Sequence, residues 1–347
     1  WEPLEPLLEG KKLVLVSPDG ALGKLPLAAL PGKEPGTYLL EERNLAVITA
    51  PQILPELLSN KPARQVAGNL LLLGGVDYDD RSDKLAANTP RKAFPGRRAP
   101  RDAEATFTPL DGSRGEMYSI KEMYRNIFGE DGIVALEGSA ASEEQVRAEA
   151  PRHLYLHLAT HGFFASERFR LALDRSVSDG PLPDGLLNRQ SISGYNPGLL
   201  SGIALAGANK PDPDHQDGIL TAEEVQSLDL RGVDLAVLSA CETGLGKKAG
   251  GEGLLGLQRS FQLAGARTVV ASLWKVDDVA TRDLMERFYR NLWEHDMGKL
   301  EALREAQLWM FRERGHRGLK LLDDEDADRR RLPPYYWAAF VLSGDWR

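Results

Sequence analysis

The run LAVLSACETGLGKK, Leu235 to Lys248, decides how the rest of the chain is read. Leu235 to Leu238 is apolar with β-branched Val237 among them, and a Gly-rich segment follows. That is how a buried strand reads when it delivers one side chain to a sheet edge. The delivered side chain is Cys241, the only cysteine of the sequence. In α/β folds the reacting groups gather beyond the carboxyl ends of the strands, so this thiol is a candidate nucleophile. The other reading of a lone cysteine is a small core hydrophobe.

LYLHLATHGFF, Leu154 to Phe164, shifts the balance. Leu154, Leu156 and Leu158 alternate as on a strand, and the run ends in Thr160-His161-Gly162, with a glycine that lets the backbone turn freely. A thiol and an imidazole, each at the tip of a core strand, form a candidate nucleophile and base. Such partners meet in space rather than in sequence.

Thr160-His161-Gly162 resembles the Ser-His-Gly of the caspase clan, and Ser239-Ala240-Cys241-Glu242-Thr243-Gly244 resembles its cysteine loop. The fuller set, LVLVSPDGALGKLPLAALP, HLATHGFF, DGILTAEEV, VLSACETG, GEGLLGLQRSFQLAGARTVVASLWKVDD and YYWAAFVLSGDWR, is similar to the CHAT peptidases, caspase-like domains associated with tetratricopeptide repeats. These pieces run in order from residue 13 to 347. The resemblance implies a caspase-like α/β sandwich, a mainly parallel central sheet flanked by helices, with an inactive pseudo-caspase half beside an active half. It implies a thiol protease with a Cys241–His161 dyad and an oxyanion hole from the backbone N–H groups of Gly162 and Cys241; no cofactor is expected, and no metal ligands are read from the sequence. Family members are bacterial, are regulated by appended domains or partners, and several act in defence by cutting an effector such as a gasdermin-like pore former, so a cytoplasmic enzyme of antiviral defence is expected. The partners implied are therefore a protein substrate and a regulatory partner or upstream repeat domain.

Composition limits the alternatives. A hydrophobic share of 42% with 27% charged residues is ordinary for a globular protein. The net charge of −8 argues against direct nucleic-acid binding, which needs a basic face to displace counterions. One cysteine excludes an internal disulfide. No signal peptide is visible, and no apolar run is long enough to cross a bilayer, so no membrane association is expected. The chain starts at Trp1 and reads as a fragment or processed form, without the 34-residue periodicity of upstream repeats.

In chain order, residues 11–16, 45–49 and 69–74 read as strands, with a short helix at PELLSN. Residues 1–115 are assigned to the pseudo-caspase half, which includes a mobile loop at about 77–114 carrying Arg91, Lys92, Arg97, Arg98 and Arg101. Its low periodicity reads as a solvated linker, or as a cleavage or docking segment. Residues 116–347 are assigned to the catalytic half. There the patterning predicts a helix from Gly115, a strand over Ile133–Leu136, a helix capped by Ser142, and the strand ending at His161, a strand-helix-strand unit that implies parallel pairing. Residues 165–218 read as an irregular insertion near the site. Next come a short helix capped by Thr221 with Glu224, a helix over Glu252–Ala264 closed by Gly265, a strand over Thr268–Leu273, a helix capped by Asp277, a helix over Lys299–Phe311, and a last strand in YYWAAFVLSG.

In this chemistry Cys241 supplies a thiolate favoured by a nearby imidazolium, and His161 protonates the leaving amine. Each preorganised oxyanion donor is worth roughly 3–4 kcal/mol. No carboxylate partner for His161 is readable. Ser272-Leu273-Trp274 resembles the strand on which caspase-clan enzymes pair the substrate main chain. Separases, which cut after Arg, carry a similar Leu-Trp followed by acidic residues. Asp277 and Asp278 stand there here, so an acidic pocket preferring Arg or Lys at P1 is one expectation; a helix cap and a first-turn acid is the other. With that pocket, Arg98, Arg101 or Arg114 become candidate self-cleavage sites. Gly244-Leu245-Gly246-Lys247-Lys248 lacks the opening glycine and closing Ser or Thr of a phosphate loop, and His157 with His161 lacks the HExxH of a zinc helix. His153 and His157 read as polar-face or packing residues. A thioesterase or amidase, and a silent interaction module of the same fold, are the competing readings.

Overall fold

The computed structural model describes residues 1–59, 68–80, 106–164, 197–210, 217–239, 241–242, 252–312 and 331–347. Its frame is one eight-stranded sheet in the order β1-β2-β12-β11-β9-β5-β3-β4. The strands are β1 (Leu13–Val16), β2 (Asn44–Val47), β3 (Leu70–Val76), β4 (Ile133–Gly138), β5 (Tyr155–Leu158), β9 (Leu235–Leu238), β11 (Thr268–Ser272) and β12 (Phe340–Gly344). Five neighbours, β4-β3-β5-β9-β11, are mutually parallel, and β12-β2-β1 form a second parallel block. The blocks meet at the antiparallel pair β11–β12. The α/β class and the mainly parallel sheet agree with the sequence expectation. The sheet also crosses residue 115: β1, β2 and β3 precede it, and β3 is seated between β5 and β4.

A parallel sheet covered on both faces selects near-continuous apolar strands. Leu70 to Leu73 have no exposed surface, and alternate residues divide between two cores. Leu71, Leu73, Leu156, Leu158, Ala236 and Leu238 belong to one face, and Leu70, Leu72, Tyr155, Leu235 and Val237 to the other.

The helices are α1 (Leu39–Glu42), α2 (Leu54–Ser59), α3 (Asp111–Phe128), α4 (Glu143–Glu149), α5 (Ala222–Gln226), α6 (Glu252–Leu263), α7 (Asp278–Trp293), α8 (Lys299–Arg312) and α9 (Pro334–Trp337). The second face is covered by α3, α7 and α8 through Met117, Ile120, Leu284, Phe288, Leu303 and Phe311. The first is covered by α4, α5 and α6 through Val146, Val225, Leu257 and Phe261. Helix starts follow their cap residues. Ser142 Oγ accepts the Gln145 N–H, Thr221 and Glu224 form a reciprocal capping box, and Asp277 accepts the N–H groups of Val279 and Ala280. Gly265, at φ +115°, closes α6, and a Cβ there would meet the Arg231 backbone nitrogen at 2.7 Å.

Three local expectations are corrected. The strand expected to end at His161 stops at Leu158; after Ala159-Thr160 a new strand, β6 (His161–Phe164), begins in a separate sheet. Gly162 continues that strand rather than turning the chain. Residues 165–218 were expected to be irregular, yet β7 (Ser201–Ala204) lies there and pairs with β6 and with β8 (Ile219–Thr221). YYWAAFVLSG holds α9 before β12, because Pro333 leads directly into a helical turn. The basic cluster at residues 91–101, most of the 165–218 insertion and the glycine-rich run 243–251 lie outside the described residues. Among the described residues no helix is long and apolar enough to cross a membrane.

Candidate active site

The second sheet has the order β10-β6-β7-β8, where β10 is Cys241–Glu242. Its parallel pair β10–β6 sets Cys241 in register with His161 and Glu242 with Gly162. The sequence-predicted nucleophile and base are thus neighbours across two paired strands, whose backbones lie about 4.8 Å apart. Both chains come directly from the core sheet, where Leu158 is in register with Leu238.

The His161 side chain is 2% exposed. Its Nε2 lies 2.6 Å from the Thr108 carbonyl oxygen. A carbonyl can only accept, so Nε2 carries the proton and donates, leaving Nδ1 as the basic nitrogen of the neutral ring. Nδ1 is buried without a hydrogen-bond partner among the described residues. Tyr78 and Phe107 flank the imidazole with ring centroids at 5.1 and 5.7 Å. Burial holds the His161 pKa below its ordinary value; the Thr108 hydrogen bond opposes this and the charge of Lys275 adds to it. The Tyr78 hydroxyl lies 3.0 Å from Thr160 Oγ1, which in turn donates to the Ala204 carbonyl. Burial pushes Tyr78 up to about 12, so it stays a neutral wall beside the imidazole.

Thr108 therefore supplies, through its carbonyl, the hydrogen-bond partner of His161 that the sequence reading could not name. Nothing in the sequence could mark it, since a backbone carbonyl is common to every residue. It lies just before α3, at the end of the segment expected to be a loop. Tyr78 and Phe107, the aromatic walls, were equally unread.

The proposed substrate-binding residues lie where β11 leaves the core sheet. Ser272 is buried, and its Oγ donates to the Trp274 carbonyl at 2.6 Å. Trp274 donates Nε1–H to the Tyr335 carbonyl at 3.0 Å. Both side chains thus serve the turn after β11. Asp277 Oδ1 caps α7 at 3.1 and 3.0 Å, and Asp278 Oδ2 accepts the Gly112 N–H at 3.0 Å. Both aspartates are exposed, and Lys275, two residues before Asp277, is close enough to His161 to influence its charge. His157, by contrast, is packed inside the sheet, with Nε2 3.1 Å from Glu116 and Nδ1 3.1 Å from the Tyr289 hydroxyl. Among the described residues, no three His, Cys, Asp or Glu side chains are grouped to hold a metal ion.

A caspase-like α/β architecture with a histidine and a cysteine on adjacent strands beyond the core sheet defines the class. The chain belongs to the CHAT domain family, whose model matches residues 1–345, and that family is one of caspase-like peptidases. It is also 25% identical over 350 residues to the human tetratricopeptide repeat protein 28, and 24% identical over 305 residues to the mouse protein of that name. These alignments take in 98% and 83% of the chain but only 12% and 11% of those relatives.

Proposed function

We propose that the chain is a cysteine endopeptidase working through a Cys241–His161 dyad. The observation that carries this reading is the register of Cys241 with His161, joined to an imidazole whose Nε2 is committed to Thr108. In this reading Nδ1 takes the thiol proton and the sulfur attacks the scissile carbonyl carbon. The C–N bond then breaks as the leaving amine takes the proton back from His161, and water hydrolyses the resulting thioester. The oxyanion is held by backbone N–H groups of Gly162 and Cys241, the assignment that the family resemblance implies.

The substrate is a protein, and the turn after β11 with Ser272 and Trp274 receives its main chain. Asp277 and Asp278 at that turn supply a preference for Arg or Lys at P1. Arg114, in the first turn of α3, and Arg98 and Arg101, outside the described residues, are then candidate self-cleavage points. A regulatory partner or repeat segment fits the repeat proteins among the relatives, and a bacterial defence pathway fits the family resemblance. The two-part division near residue 115 belongs to the same proposal.

The test is cleavage profiling on a diverse peptide library with the wild type, Cys241→Ala and His161→Ala. Cleavage after Arg or Lys that is lost in both variants is the expected result. Cleavage after other residues discards the acidic pocket and keeps the dyad, whereas cleavage that survives Cys241→Ala overturns the reading.

A further inference from the structure

We propose that Asn209 is a positioning residue for the dyad, clamping the segment whose carbonyl fixes the His161 tautomer. The inference rests on the Cys241–His161 reading. The carbonyl belongs to Thr108, and one residue earlier the peptide groups of Phe107 are gripped on both sides by one side chain. Asn209 Oδ1 accepts the Phe107 N–H at 2.7 Å, and Asn209 Nδ2 donates to the Phe107 carbonyl at 2.9 Å. A primary amide that donates and accepts in one plane is the side chain that can substitute for a neighbouring strand on a single residue. Asn209 is held in turn: its own N–H donates to the Tyr78 carbonyl at 2.8 Å, and Nδ2 also reaches Asp79 Oδ1 at 3.3 Å.

Asn209 thus ties together the backbones of the two residues whose rings flank His161. Tyr78 and Phe107 also meet each other, with ring centroids at 5.7 Å. On the far side of Thr108, the Gly112 N–H donates to Asp278. Thr108 is therefore anchored one residue before by Asn209 and four residues after by Asp278. Without the first anchor, the carbonyl is free to swing and Nε2 loses its fixed acceptor. The proton then divides between the two ring nitrogens, and the imidazolium that pairs with a thiolate loses a charge-assisted hydrogen bond. Besides Cys241, the titratable and charged groups around the imidazole among the described residues are Tyr78 on the segment after β3 and Lys275 on the segment after β11; none of them is replaced by a change at Asn209.

Because Cys241 is the only cysteine, its alkylation by iodoacetamide reads the site without any substrate. The rate is followed against pH for the wild type, His161→Ala, Asn209→Ala, Asn209→Ser and Asp278→Ala, with a thermal melt of each to show that it is folded. A thiolate supported by His161 titrates below the free-thiol value of about 8.5, and His161→Ala returns the midpoint to it. The expected result for Asn209→Ala is a midpoint raised by about one unit, which is about a tenfold slower alkylation in the acid range. Asn209→Ser, which can keep only one of the two bonds, falls between, and Asp278→Ala moves the same way by less.

Nitrogen-15 spectra of the histidine rings give the tautomer directly, with His161 identified from its alanine variant. The Nε2–H form is expected in the wild type and a mixture in Asn209→Ala. If His161→Ala shifts the midpoint while Asn209→Ala leaves both midpoint and tautomer unchanged, the positioning role is wrong and the dyad stands. If the wild type and His161→Ala titrate alike, the dyad is wrong; the ring spectra then decide the Asn209 clamp alone, and an unchanged tautomer in Asn209→Ala removes it.

Discussion

His161 combines burial, a carbonyl acceptor on one nitrogen and a cation at a distance, and these set its working range. Burial lowers its pKa and the charge of Lys275 adds to the shift, so the acid limb of activity is expected below the ordinary histidine value. Replacing Lys275 with Gln removes a repulsive charge and raises the His161 pKa. The acid limb of kcat/KM then moves to higher pH, and an unchanged limb would show that Lys275 does not sense the imidazole.

Glu143, at the first turn of α4, is a second perturbed group, outside the proposed chemistry. Burial, with Glu224 and Asp217 nearby, pushes it up to about 8; Arg147 and the Gly218 N–H only partly compensate. The folded state holds this proton to higher pH than the unfolded chain does. Its stability is therefore fully present below the usual carboxylate range and declines as pH rises towards about 8. Glu143→Gln removes that decline. Its melting temperature should exceed the wild type's at about pH 9, with the difference vanishing near pH 4.

Among the elements, α7 offers the cleanest separation of two readings of one residue. Asp277 caps it with two N–H bonds, so Asp277→Ala is expected to lose about 1 kcal/mol of stability. Asn is as good a cap as Asp, so Asp277→Asn keeps the stability and removes only the charge. Retained preference for basic peptides in Asp277→Asn would exclude Asp277 from the P1 pocket, leaving it a cap.

The elements that the sequence made legible are those with strong periodicity or a cap: β3, β9, α3, α6, α7 and α8 fall within a few residues of the spans read from it. The small sheet was not legible. β7 is flanked by Gly- and Pro-rich sequence, β10 is two residues long, and the two-residue break between β5 and β6 interrupts no hydrophobic pattern. Cys241 and His161 were legible because each follows an apolar strand. Thr108 and Asn209 were not, since a backbone carbonyl has no residue signature and a lone Asn in a polar stretch reads as a turn.

Over the whole molecule, the two blocks of the large sheet are interlocked by sequence. β1 and β2 extend the sheet through β12, and β3 separates β4 from β5. Residues 116–347 alone would lack the partner of both β4 and β5, as well as the Thr108 carbonyl. That fragment is expected to show no cooperative thermal transition by circular dichroism. A cooperative melt would mean that the C-terminal segment closes its sheet without β3.

The paired exits from that sheet carry a further consequence. Leu158 and Leu238 leave it side by side, each chain spends two residues in transit, and His161 and Cys241 arrive side by side again. The core therefore serves as a ruler: equal steps along the two strands set the spacing of the proposed pair, and the contacts around His161 then hold its ring. One extra residue in either bridge would set the histidine and the cysteine a full step out of phase, about 3.3 Å along the strand, while the interior beneath them kept every contact it had.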